Sequence, residues 1–233
     1  MKQMYILLFS CAAFLMSCQS ACNSGKENYL SQHNPQTVDW ARTDYYSSLR
    51  DTLSFTPKAI FYGDSITKGW KDTDFFSSLH SIPLGISGMT STQLLCRFRT
   101  DVINLSPKYV VIMCGTNDIA QNNGPIDLET TAGNIISMCE LALYNGITPL
   151  LCSVTPCSLH AWRPELGNPS QKIIALNSML KKYCELSGVQ YVDYHKVLDN
   201  GQGGLKPEHT RDECHLTEEG YKMLEPIIAP YIK

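Results

Sequence analysis

"KAIFYGDSITKGW", Lys58 to Trp70, passes from an unbroken apolar run through Gly-Asp-Ser into a polar segment. Successive apolar residues without alternation suit a parallel strand buried on both faces. Asp and Ser directly after it are residues that open helices. The stretch therefore reads as a strand feeding a helix, with Ser65 at the junction. Whether Ser65 is only a cap or a reacting group depends on what the rest of the chain brings to the same edge.

Four further runs repeat the pattern: "SIPLGIS" from Ser81, "KYVVIMCGTND" from Lys108, "ITPLLCSVTP" from Ile147 and "VQYVDYH" from Val189. Helical patterns lie between them. In "NPSQKIIALNSMLKKYCELSG", Ile173, Leu176, Leu180 and Tyr183 recur at helical spacing. Asn168 suits the N-cap there, Pro169 the first turn, and Gly188 the position just past the end. "LETTAGNIISMCELALYNG" closes on Asn-Gly, and "TEEGYKMLEPIIAPYIK" is amphipathic, with Pro226 placed to bend it. Alternating strands and helices predict a three-layer α/β/α sandwich on a five-stranded parallel sheet. It would cover residues 58–233, preceded by a tether and helical preface over 18–57.

In open parallel sheets, ligands bind beyond the carboxyl ends of the strands. Ser65 follows the first strand, "GISGMTS" the second and "GTND" the third, while "RDECHLTEEGY" lies before the final helix. Small polar residues recurring at one edge supply what acyl transfer needs. A Ser hydroxyl is a weak nucleophile at neutral pH and needs a base within hydrogen-bond reach. His215 can take the proton, and Asp212, three residues earlier, can hold the imidazole and stabilise its charged form. The backbone N–H groups of Ser65 and Gly88 and the side-chain amide of Asn117 are candidate oxyanion donors.

The ordered blocks "GDSIT", "GISGMTS", "GTND" and "DECH" resemble the SGNH (GDSL-type) hydrolase superfamily over about residues 58–233. The resemblance implies Ser65, Gly88, Asn117 and His215 as its four block residues, with Asp212 completing the triad. It also implies a flavodoxin-like fold that hydrolyses esters without a metal or cofactor. Superfamily substrates range from lysophospholipids and acyl thioesters to acetylated sugars. Cys214, directly before the His, is expected to leave catalysis unaffected.

Other residues are weighed on the same terms. Trp162 and Arg163, in "SLHAWRPEL" after the fourth strand, are candidate substrate contacts on the rim of the site. Asp118 is expected to shape its turn and Asp64 to support the nucleophile. Asp193 with His195 mimics a dyad without a nucleophile block. His33, His80, His160, His195 and His209 read as structural or exposed. "GISGMTS" is not a G-x-G-x-x-G fingerprint and no G-x-S-x-G elbow occurs, which argues against dinucleotide binding and the α/β-hydrolase fold.

At the start, Lys2 and the apolar "MYILLFSCAAFLM" are too short to span a bilayer and read as an export signal. "LMSC" resembles a bacterial lipobox, which implies a signal peptide over 1–17 and a lipid on Cys18. The mature protein would then be anchored to a bacterial membrane without spanning it; plain secretory cleavage near Ala21 is the alternative. Seven cysteines follow the leader and its edge: Cys96, Cys114, Cys139, Cys152, Cys157, Cys184 and Cys214. If extended, Cys152 to Cys157 spans about 16 Å, far beyond disulfide reach. With no CxxC and no HExxH, the thiols read as buried and unpaired and no metal is expected. With a net charge of −3, no basic field points to nucleic acid.

The sequence thus predicts an exported serine esterase. Short acyl groups on carbohydrate, acetyl above all, are the expected substrates. A lysophospholipase or acyl-thioesterase using the same residues is the alternative, and a catalytically silent glycan-binding lipoprotein is the rival from another class.

Overall fold

The computed structural model describes residues 39–233. Five parallel strands run β1 (Ala59–Gly63), β2 (Ser81–Gly85), β3 (Tyr109–Met113), β4 (Thr148–Cys152) and β5 (Gln190–Val192). Their order across the sheet is β2-β1-β3-β4-β5. All neighbours pair parallel, with Gly63 in register with both Gly85 and Met113. The chain moves to one side of β1 for β2 and to the other side for β3. Strand order therefore reverses at β1, which opens a crevice at the carboxyl edge beside it.

Helices connect the strands and cover both faces. They are α1 (Ser47–Thr52), α2 (Ser65–Gly69), α3 (Thr73–Ser78), α4 (Ser91–Asp101) and α5 (Thr116–Ile119). The remainder are α6 (Leu128–Tyr144), α7 (Ser170–Ser187), α8 (Tyr194–Leu198) and α9 (Glu218–Ile228). Alternate residues of β1 face opposite ways, as strand geometry requires. Ile60 and Tyr62 join Leu94 and Phe98 of α4, Ile135 and Met138 of α6, and Ile173 and Leu176 of α7. Ala59 and Phe61 join Ile66 of α2, Phe76 of α3, Leu198 of α8 and Leu224 of α9. Burying each such large side chain is worth about 1.5–3 kcal/mol. The two cores make the three-layer sandwich expected from the sequence.

The helix ends follow local chemistry. Asn168 Oδ1 accepts from Ser170 N at 2.8 Å at the start of α7, and Gly188 closes it in the left-handed region at φ +78°. The expected helical preface is helical only over Ser47–Thr52 among its described residues. Side chains rather than a long helix secure it. Tyr46 OH donates to the Gly85 carbonyl at 2.6 Å, and Arg50 pairs with Asp101 at 2.8 Å. Asp101 is also paired with the fully buried Arg97, at 2.6 Å. The signal peptide and Cys18 lie outside the described residues. No helix among those described is long and apolar enough to cross a membrane.

Candidate active site

Ser65 is the first residue of α2, and Asp64 is its cap, accepting from Ile66 N at 2.9 Å. The short helix lies directly against β2. A Cβ on Gly85 would sit 2.2 Å from Lys68 N, so only glycine admits this approach. From the far side, Tyr221 OH of α9 donates to the Ile66 carbonyl at 2.7 Å. Ser65 is thus held between the sheet and the last helix. Burial pushes the Asp64 carboxyl up to about 7, against the lowering effect of the Ile66 N–H.

His215 arrives on a tight loop before α9. The loop is closed by an antiparallel bridge between Thr210 and Leu216 and by Arg211 N donating to His215 O at 2.9 Å. Glu213 takes φ +67° at its tip. Inside it, Asp212 Oδ1 accepts from His215 N at 2.7 Å, while Oδ2 meets the ring Nδ1 at 2.7 Å. Nε2 then lies 2.9 Å from Ser65 Oγ. With Nδ1–H donating to the carboxylate, Nε2 is the acceptor for the Ser65 proton. Partial burial works to raise Asp212, but the bonds from His215 outweigh it and hold the carboxyl below its ordinary range.

The candidate oxyanion residues sit on the neighbouring strand ends. Gly88 follows β2 at φ +80°, in a turn closed by Met89 N donating to Ile86 O at 3.3 Å. Asn117 lies in α5 and is buried. One of its amide hydrogens goes to Met89 O at 3.1 Å, which leaves the second N–H for another acceptor. Asn122, which the sequence reading did not single out, joins the two blocks. Its Nδ2 donates to Asn117 Oδ1 at 2.8 Å and to Gly88 O at 3.3 Å. Asp118 accepts from Ser91 N at 2.9 Å and from Ser91 Oγ at 2.5 Å, tying the end of β3 to the start of α4. It shapes the site, as expected, and burial raises its carboxyl above the usual range.

Trp162 stands beside the base. Its ring is 5.8 Å from that of His215 and 5.0 Å from that of His160, and its Nε1 donates to Asn122 Oδ1 at 2.9 Å. Arg163 is placed differently. Its Nε is bound to Glu165 at 2.6 Å and its NH1 donates to the Gln121 carbonyl at 2.9 Å. The cations that border Ser65 are others. A cleft of about 410 Å³ is lined by Ser65 and His215 together with Lys68, Lys71 and Arg211. Leu216 and Tyr221 are the large apolar side chains on its wall. Lys68 and Lys71 stood in plain view in "SITKGWK", within six residues of Ser65, whereas Asn122 carried no motif. Asp193, by contrast, caps α8 by accepting from Lys196 N at 3.0 Å.

The described cysteines are unpaired, and all but Cys96 are buried, as the apolar surroundings implied. Two of them behave unlike the rest. Cys157, His160 and Cys214 are each about 1% exposed, and one donor atom from each lies within 4.8 Å of the others. His160 is therefore a buried member of this cluster, with Nε2 2.9 Å from Thr116 Oγ1. The neighbouring Cys214 thiol holds Cys157 below the ordinary thiol range, while Cys157 and burial push Cys214 up.

Comparison with known proteins gives a consistent picture. Residues 61–223 match the profile of the GDSL-like lipase/acylhydrolase family. A GDSL-like lipase from Bacteroides thetaiotaomicron superposes with a TM-score of 0.79 at 42% identity, covering 82% of this chain and 97% of its own. Platelet-activating factor acetylhydrolase IB subunit alpha2 of Homo sapiens is 27% identical over 215 residues, 87% of this chain and 83% of its own length. An uncharacterized lipoprotein of Bacillus subtilis is 29% identical over 116 residues, 42% of this chain and 48% of that protein.

Proposed function

Because the chain belongs to the GDSL-like lipase/acylhydrolase family, we propose that it hydrolyses carboxylic esters through an acyl-enzyme on Ser65. The observation that carries this reading is the continuous line from Asp212 Oδ2 through His215 to Ser65 Oγ, with separations of 2.7 and 2.9 Å. Ser65 Oγ attacks the ester carbonyl as its proton passes to His215 Nε2. The Asp212 carboxylate faces the imidazolium that results. The Ser65 and Gly88 N–H groups and the second Asn117 amide hydrogen take the oxyanion. Collapse of the intermediate expels the alcohol, which receives the proton from Nε2. Water then enters with His215 again as base, and the acid leaves.

The substrate reading is a short acyl group, acetyl above all, on a carbohydrate alcohol. Support for a short acyl group comes from the cleft wall, whose large apolar side chains are Leu216 and Tyr221, both nearly buried in the core. The name of the human relative adds an acetyl precedent. A lysophospholipid-like ester is the second reading. It is favoured by Lys68, Lys71 and Arg211, which line the cleft without an ion pair among the described residues and would suit an anionic alcohol part.

The test is hydrolysis of p-nitrophenyl esters from acetate to palmitate, alongside acetylated oligosaccharides and lysophospholipids. Ser65→Ala is expected to abolish turnover while the protein stays folded; retained turnover overturns the nucleophile. A preference for palmitate over acetate overturns the short-acyl reading. For location, the lipobox-like "LMSC" and the lipoprotein relative support an anchor on Cys18. Cys18→Ala is expected to move the protein from the membrane to the soluble fraction, and persistent membrane binding overturns that anchor.

A further inference from the structure

Three soft donors meet behind the catalytic loop. Cys157 and His160 lie on the segment after β4, spaced as a C-x-x-H pair, and Cys214 comes from the loop that carries His215. All three are buried, and their donor atoms lie within 4.8 Å of one another. Bonds of about 2.3 Å to sulfur and 2.0 Å to nitrogen, at tetrahedral angles, place such donors about 3.5–3.8 Å apart. The atoms therefore need to close by no more than about 1.3 Å to meet one ion. We propose that Cys157, His160 and Cys214 form a binding site for a thiophilic metal ion, with Zn²⁺ as its type.

Three features of the surroundings fit this assignment. Two thiolates and a neutral imidazole carry two negative charges, so a divalent ion makes the buried cluster neutral, which a low-dielectric site favours. Nε2 of His160 is engaged by Thr116 Oγ1 at 2.9 Å, leaving Nδ1 as the nitrogen that ligates. A hydrogen-bond partner on the other ring nitrogen is the usual companion of a metal-bound His. The two segments are also already tied together, by Ser158 Oγ donating to Glu213 Oε2 at 2.7 Å. On binding, each thiol gives up its proton to solvent, and no electron moves. The hydrated ion exchanges its waters for two Zn–S bonds and one Zn–N bond, keeping one water as its fourth ligand. The ion would then staple the loop holding Asp212 and His215 to the segment holding Trp162.

The test uses the full chain, reduced and stripped of metal, titrated with Zn²⁺ against a chromophoric chelator. Co²⁺ binding is followed by its thiolate charge-transfer absorption. One tight equivalent is expected in the wild type, in Ser65→Ala and in Cys96→Ser, the last removing the exposed thiol among the described residues. The same is expected when Cys11, Cys18 and Cys22 are all changed to Ser. Cys157→Ser, His160→Gln and Cys214→Ser should each weaken that equivalent at least 100-fold, and Thr116→Val about 10- to 100-fold. Circular dichroism checks that each variant is folded. If a ligand variant fails to fold, the wild-type Co²⁺ spectrum still decides the matter, because absence of a thiolate band overturns the site. Zn²⁺ uptake unchanged in folded Cys157→Ser and Cys214→Ser overturns it equally. So does a wild-type chain that binds no Zn²⁺ after reduction. None of these readouts depends on esterase activity, so the metal site and the esterase reading can fail separately.

Discussion

The two halves of the candidate site are built in opposite ways. Asn117, Asp118 and Asp64 are each 1–2% exposed at the ends of β1 and β3; Asn117 and Asp118 bond to other parts of the fold, while Asp64 caps its own helix. Met89, Asn122 and Ser91 supply those partners for Asn117 and Asp118, from other elements or the next loop. Asp212 and His215 have side chains 37% and 31% exposed, and their bonds to each other are local to a five-residue turn. The sheet thus fixes the proposed nucleophile and oxyanion groups, and a short loop, tied to the segment after β4 through Ser158 and Glu213, presents the proposed base. Damage to the loop should cost activity without stability, whereas damage at the strand ends should cost both.

The sharpest test pairs one substitution from each half. Asp212→Asn keeps an oxygen for His215 N but turns an amide toward the ring Nδ1, which reverses the tautomer and leaves Nε2 protonated against Ser65. Turnover of p-nitrophenyl acetate is expected to fall about 10⁴-fold, with a melting temperature near that of the wild type. Asn117→Ala should lower turnover about 10²- to 10³-fold. It also strands the buried Met89 carbonyl, at about 1–3 kcal/mol for a buried unpaired group, while the half-exposed Asn122 amide keeps its bond to the Gly88 carbonyl. Its melting temperature should fall clearly. Equal melting temperatures for the two variants would break the contrast.

A smaller effect is expected at Asn122, which touches no reacting atom but donates to both Asn117 and Gly88. It acts by positioning. Asn122→Ala should lower kcat about tenfold, equivalent to about 1.4 kcal/mol, with little change in KM. Asn122→Asp keeps an oxygen for Trp162 Nε1 but loses the donor, so it should match the alanine variant. If the aspartate variant retains wild-type kcat, donation to the oxyanion residues is not what Asn122 contributes.

The same contrast explains what could be read from the chain. The inner strands β1, β3 and β4 were legible because they are buried on both faces but for Thr148, so each is a run of apolar residues ending in small polar ones. By contrast, β2 and β5 at the sheet edges are only partly buried. The blocks at Ser65, Gly88 and Asn117 follow such runs directly, and Asp212 and His215 lie within one turn of each other. Proximity along the chain made both sets visible. Asn122 was not legible because its role exists only once α5 places it between Gly88 and Trp162. The cluster of Cys157, His160 and Cys214 was hidden for a similar reason, with its third donor more than fifty residues from the first two. Arg163 looked like a rim cation by position, yet Glu165, two residues on, takes its Nε. A neighbour that close in sequence could have been weighed.

The gentlest probe of the strand-end half is its response to pH. Asp64 is buried, and its carboxyl stands at about 7 in the folded chain against 3.8 for the free group. Between those values the folded state holds a proton that the unfolded state has released. The contribution of Asp64 to stability is therefore full below about pH 3.8 and is lost as pH rises toward 7, with a slope of at most about 1.4 kcal/mol per pH unit. Asp64→Asn keeps an oxygen for Ile66 N and does not titrate. Asp118 and Asp101 are also raised by burial, but they act alike in both proteins and cancel in the difference. Urea denaturation from pH 4.5 to 7.5 should show the wild type losing stability relative to Asp64→Asn as pH increases. Parallel profiles would mean that Asp64 is ionised in the fold throughout, and the strand-end half would then carry a buried charge beside its nucleophile.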